Sequence, residues 1–187
     1  MVVAEGVTLD HEDTASYDLT VTATDAGGLS IDTPLTVNVT DVNEGPTDLV
    51  ISSDNSVAEN TEAGSVVATL AATDADGDAL TYTLSGEGSE NFTVNENGEV
   101  VVAEGADINF EDVTEFTLNV EVTDGNGGTT SGELAIDVTN VNETPIDLVA
   151  QGGDVAENVE AGTVVANLSV GDTDANDTHT FLSLIHI

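Results

Sequence analysis

Apolar and polar residues alternate along much of this chain. Thr117-Leu118-Asn119-Val120-Glu121-Val122 puts every second residue on one apolar face, and Leu80-Thr81-Tyr82-Thr83-Leu84 does the same. Successive side chains of a strand point to opposite sides, so this pattern predicts strands with one wet face and one packed face. Strand candidates lie near 49–51 with 56–58, then at 65–71, 80–84, 91–94, 99–103, 115–123 and 129–139. Asn97-Gly98 is a hairpin turn, and Asp124-Gly125-Asn126-Gly127-Gly128 separates the last two candidates. No segment keeps a helical period. About seven short strands in roughly 100 residues predict an all-β fold, a seven-stranded Greek-key β-sandwich of immunoglobulin-like architecture.

The pattern then repeats. Val2-Val3-Ala4-Glu5-Gly6 returns as Val101-Val102-Ala103-Glu104-Gly105, and Val57-Ala58-Glu59-Asn60 as Val155-Ala156-Glu157-Asn158. Asp41-Val42-Asn43-Glu44-Gly45-Pro46 returns as Asn140-Val141-Asn142-Glu143-Thr144-Pro145. The period is about 99 residues, the size of one sandwich domain and far above a solenoid repeat. The chain therefore divides into the back half of one domain (1–46), a complete domain (47–145) and the front part of a third (146–187). Each acidic segment that ends in proline cannot continue a helix and reads as a stiff, extended joint. Phe181–Ile187 departs from the repeat and reads as a truncated or damaged end.

Charge sharpens this picture. Among 187 residues there are 37 Asp and Glu and no Lys or Arg, for a formal charge of -37. Nothing can neutralise phosphate, which excludes nucleic acid as a partner, and an anionic membrane surface is disfavoured. The carboxylates must be dispersed in water, screened by salt or held by bound cations, because self-repulsion opposes a compact state. Such charge can signal disorder, but 39% hydrophobic residues in alternating runs argue for folded strands. There is no cysteine and hence no disulfide. No apolar run approaches the roughly 20 residues of a membrane span, and Met1–Glu5 lacks the basic start of a signal peptide.

Four signals together resemble the cadherin repeat in the divergent tandem form of large bacterial surface adhesins. Glu59-Asn60 and Glu157-Asn158 stand where that family has Pro-Glu-Asn, with Ala58 and Ala156 in place of the proline. Leu9-Asp10-His11-Glu12 is similar to its Leu-Asp-Arg-Glu element. Asp74-Ala75-Asp76 and Asp172-Thr173-Asp174 are similar to its Asp-x-Asp, and Asp41–Pro46 to its Asp-x-Asn-Asp-x-x-Pro linker. The resemblance implies a cell-adhesion segment, extracellular or at the cell surface, with Ca2+ at each joint. Calcium takes six to eight oxygen ligands, more than one loop usually supplies, which explains why two domains and their linker contribute.

By the same resemblance, the first joint takes Asp10 and Glu12 from the upstream domain and Asp41, Asn43 and Glu44 from the linker, with backbone oxygens of Val42 and Gly45. The next domain adds Asp74, Asp76 and Asp124. The second joint takes Glu59 and Glu111, linker residues Asn142 and Glu143, and then Asp172 and Asp174. Asn109 and Asn140 stand where the family has aspartates, so the second joint is expected to bind calcium more weakly.

Other signals carry less. His11, His179 and His186 are scattered and have no cysteine beside them, which speaks against a transition-metal site. Carboxylates that recur at each boundary fit a structural ion better than one active site, so no enzyme is expected. The partners implied are other cell-surface proteins or a second copy. Glycans are the alternative, although the chain has no Trp and only Tyr17 and Tyr82 for sugar stacking. A passive acidic spacer suited to high salt is the remaining alternative.

Overall fold

A computed structural model describes residues 2–52, 55–175 and 177–182. Twelve strands and one short 3-10 turn, Ser89–Asn91, account for its regular structure. In chain order the strands are β1 (Ser16–Thr24), β2 (Ser30–Asn38), β3 (Thr47–Ile51), β4 (Ser56–Ala58), β5 (Val66–Thr73) and β6 (Thr81–Ser85). They continue as β7 (Phe92–Val94), β8 (Glu99–Val102), β9 (Glu115–Thr123), β10 (Thr129–Thr139), β11 (Ile146–Gly152) and β12 (Ala166–Gly171).

Strands β3 to β10 form two four-stranded sheets, in the orders β3-β5-β8-β7 and β4-β10-β9-β6. The period-two reading of β9 holds residue by residue: Phe116, Leu118, Val120 and Val122 are buried, and Glu115, Thr117, Asn119 and Glu121 are exposed. Leu134, Ile136 and Val138 of β10 join the same buried layer, facing Val67, Leu70, Phe92, Val100 and Val102 of the other sheet. Aromatic content is only 3%, so aliphatic residues fill most of the core. The one aromatic pair among the described residues is Phe92 against Phe116, edge to face, with ring centres 5.3 Å apart. Asn97-Gly98 makes its turn as expected: Gly98 has φ +75, and a Cβ there would strike the Leu70 carbonyl that lies over it.

The first candidate, 49–51 with 56–58, proves to be two strands on different sheets. Strand β3 pairs antiparallel with β5, while β4 crosses over and pairs parallel with β10, Val57 opposite Val138. Hydrogen bonds explain the crossing. The Ser52 hydroxyl accepts the Thr69 N–H of β5, and the Asn55 amide donates to the Ala135 carbonyl of β10. Seven candidates thus become eight strands, and the sandwich keeps its two layers.

Two hairpins flank this unit. Strands β1 and β2 pair antiparallel over their full length, Leu19 opposite Leu35, and β11 pairs with β12. Their apolar residues are far more exposed than the equivalents in the middle: Leu19 is 37% exposed where Leu118 is 0%. Phe181 and Leu182 are exposed and outside any strand; the rest of the divergent tail, 183–187 with His186, lies outside the described residues.

Candidate metal centres at the two linkers

The first linker lies against the turn between β9 and β10. Gly45 and Gly128 approach so closely that a Cβ on Gly128 would collide with both the Gly45 Cα and Asp124 Oδ2. The Asp124 carboxylate holds that turn by accepting the N–H groups of Asn126, Gly127 and Gly128, and it accepts the Asn43 side-chain amide at 2.9 Å. On the far side of the linker, the Glu44 N–H donates to Asp76 Oδ2 at 2.8 Å. The bend Asp74-Ala75-Asp76-Gly77 is closed by the Asp78 N–H donating to Asp74 Oδ1 and by Gly77 at φ +77.

These contacts gather carboxylates from three separate segments. Oxygens of Glu12, Glu44 and Asp76 lie within 4.8 Å of one another, as do those of Asp74, Asp76 and Asp78. Asp10 caps its own turn, accepting the Asp13 N–H, and its charge reaches Glu44. Asp41 sits 3.9 Å from His11 Nδ1, whose nearer partner is Glu12 at 3.0 Å.

The second linker repeats the plan with different anchors. The Glu143 N–H donates to Asp174 Oδ2 at 2.7 Å, the counterpart of Glu44 and Asp76. The Asn142 amide donates to the Glu143 carbonyl, as Asn43 does to that of Glu44. Glu59 is only 3% exposed, and both its oxygens accept backbone N–H groups, from Val141 at 2.6 Å and Phe110 at 2.9 Å. It thereby ties β4, the 108–112 turn and the linker together. Oxygens of Glu59, Glu111 and Glu143 lie within 4.8 Å of one another. Asp172 is not in that group; it faces His179 at 2.6 Å and reaches the others only through the Asp174 N–H that it accepts.

Electrostatics follow from the crowding. Removal from water raises the pKa of Glu44 above the ordinary glutamate range, and the charges of Glu12, Asp76, Asp10 and Asp41 add to the rise. Glu111 is raised in the same way, first by desolvation and then by Glu59 and Glu143, against the opposing bond from its own backbone N–H. Asp124 is lowered, chiefly by the Asn43 amide, and Asp172 by its hydrogen bond to His179. Three buried carboxylate oxygens, Asp74 Oδ2, Asp76 Oδ1 and Glu143 Oε2, have no hydrogen-bond partner among the described residues. A buried acceptor left in that state is costly, and the chain has no Lys or Arg to answer it. An oxygen-only donor set with orphaned carboxylate oxygens fits a hard divalent cation such as calcium.

Sequence reasoning overlooked several neighbours. His11 and His179 are not isolated but rest on carboxylates, and Asp78 and Asp177 join acidic groups. Asn140, read only as a weakened ligand, donates to Asp174 at 2.8 Å and to Glu111 at 3.3 Å. Asn60 donates to Glu143 Oε1 at 2.9 Å; its place directly after Glu59 was the signal available.

Residues 54–139 match the family described as Cadherin domain. The chain is 32% identical over 186 residues to Cadherin-4 of Homo sapiens, covering 89% of this chain and 20% of that protein. It is 31% identical to Cadherin-2 of Gallus gallus, with the same coverage. Among solved structures, extracellular cadherin domains 1–4 of protocadherin gamma B7 superpose with a TM-score of 0.65 at 27% identity, over 89% of this chain and 43% of that one. The protocadherin gamma B4 extracellular domain gives 0.64 at 28%, over 90% of this chain and 27% of that one. These sequence relatives are from vertebrates, not from bacteria. The chain spans one fifth of the length of the first of them.

Proposed function

Because residues 54–139 match the Cadherin domain family, we propose that this chain is a calcium-binding segment of an extracellular adhesion protein, stiffened at its joints by the ion. Its role is structural, without catalysis. By the resemblance of its motifs it takes the bacterial surface-adhesin form, in which many such domains make a rod. Other surface proteins or a second copy are its partners. Within the described residues no helix is long and apolar enough to cross a membrane.

One observation carries the reading: carboxylates from separate segments converge at each linker with buried oxygens unpartnered and no Lys or Arg to balance them. At the first joint Asp10, Glu12, Asp41, Asn43, Glu44, Asp74, Asp76 and Asp124 would hold calcium. At the second, Glu59, Glu111, Asn142, Glu143, Asp172 and Asp174 would do so. The bound ion supplies positive charge that turns mutual repulsion into a fixed angle, and binding to the folded state stabilises it by mass action.

Small-angle scattering tests this. Calcium at matched ionic strength is expected to lengthen and stiffen the particle, and excess chelator to loosen it and open 41–46 to protease. Unchanged dimensions in chelator would refute stiffening and leave the passive spacer. Gly128→Ala is a sharper probe because it removes no charge. Its methyl group would displace Asp124 and push Gly45 away. Calorimetry should find first-joint affinity weakened by about tenfold or more, equal to ~1.4 kcal/mol, with the second joint unchanged.

A further inference from the structure

We infer that the second linker keeps its order when calcium is withdrawn, because the side-chain amide of Asn140 does there what the first linker leaves to a cation. The inference deepens the calcium reading and rests on it for what the ion does at the first linker; the bonds that hold the second need no ion. Asn140 stands 99 residues after Asp41, and Asp174 stands 98 residues after Asp76. The two aspartates are placed alike. Each accepts the N–H of the linker glutamate on its Oδ2, Asp76 from Glu44 and Asp174 from Glu143. They differ at the other oxygen. Asp76 Oδ1 is buried and has no hydrogen-bond partner among the described residues. Asp174 Oδ1 accepts the Asn140 amide at 2.8 Å.

Carboxylate for carboxamide is a small exchange, but it changes what the position can do. An ionised Asp41 only accepts, whereas Asn140 presents two N–H donors on one nitrogen. One goes to Asp174, in the loop after β12, and the other to Glu111 of the 108–112 turn at 3.3 Å. A single side chain thus spans the middle sandwich and the segment beyond it. Further bonds close the circuit: Glu59 accepts the Val141 N–H at 2.6 Å, and the Asn60 amide donates to Glu143 Oε1 at 2.9 Å. Hydrogen bonds to ionised oxygens are the stronger kind, and Asp174, only 8% exposed, is screened little by salt. Glu143 Oε2 stays without a partner among the described residues, so an ion still has a place at the second linker, but order there does not depend on it.

A glutamate-specific endoproteinase tests this, because each linker carries one glutamate at the same place, Glu44 before Gly45 and Glu143 before Thr144. Cleavage of the 187-residue chain after each is timed by mass spectrometry, in excess chelator and in excess calcium at matched ionic strength. In chelator, the unaltered chain is expected to be cut after Glu143 about tenfold or more slowly than Asn140→Asp and Asn140→Ala, since the rate follows the population of the opened linker. The first variant removes both donors and adds a charge; the second removes the donors alone. Equal rates in all three chains would overturn the inference, and so would faster cleavage in Asn140→Asp only, which would make added charge the cause. The converse variant Asp41→Asn places the amide in the first linker and removes no strand contact. It is expected to slow cleavage after Glu44 in chelator by about threefold or more, and no slowing would also overturn the inference. Calcium that failed to protect Glu44 in the unaltered chain would sink the calcium reading instead and leave the Asn140 result standing.

Discussion

Replacing both Asp74 and Asp76 with asparagine is expected to abolish the tighter of two classes of calcium site. Both residues present a buried oxygen without a hydrogen-bond partner, and Asp76 also takes the Glu44 N–H, so the pair sits where linker and domain meet. Asparagine keeps the shape and one oxygen but deletes the charge. A unit charge about 4 Å from another is worth roughly 4 kcal/mol near a protein surface. Losing two should weaken the first joint by a hundredfold or more, about 2.7 kcal/mol. The second joint already has Asn109 and Asn140 where the first has Asp10 and Asp41, and it is expected to be the weaker class in the unaltered chain. Calorimetry should show two classes before the substitutions and only the weaker after. One uniform class in the unaltered chain would contradict the ranking, and unchanged affinity in the variant would remove these two residues from the site.

Leu118→Ala is expected to cost the middle sandwich about 2–5 kcal/mol, a large share of the roughly 5–15 kcal/mol that holds a domain of this size. Leu118 is 0% exposed and sits near the centre of β9. The repeat supplies a control within the same molecule. Leu19 holds the equivalent place in β1 and is 37% exposed, so Leu19→Ala in dilute solution should change stability by no more than about 0.5 kcal/mol. Urea midpoints at matched ionic strength compare the two. Equal losses would mean that the exposed hairpin is as firmly packed as the core.

Strands were legible because the sheets have one wet face. The alternation in Thr117–Val122 specifies both a strand and its buried side, and the structure follows it without a slip. The division of the first candidate, 49–51 with 56–58, into β3 and β4 was not legible. Leu49 to Ile51 and Val57 differ in their sheet partners, and partner choice is set by Ser52 and Asn55 bonding to different neighbours across 17 and 80 residues of sequence. The acidic segments at the joints stood out by their repetition, and the resemblance to the cadherin repeat singled out their residues. The assembly they make was less legible: Asn43 and Asp124 are 81 residues apart, and only the folded turn at 124–128 brings the linker to them. His179 meets Asp172 inside an irregular loop, where no periodicity marks which side chains share a face.

The parallel contact of β4 with β10 bears on how a string of such domains takes a pull. Tension enters the middle sandwich near Thr47 and leaves near Thr139, beyond the end of β10. Traction along the string then drags β4 and β10 lengthwise past each other, loading their hydrogen bonds together rather than unzipping them singly. Glu59, clamped to the Val141 and Phe110 amides just past that seam, is drawn in the same direction. Side chains that order each boundary thus also brace the place where the sandwich would first shear open.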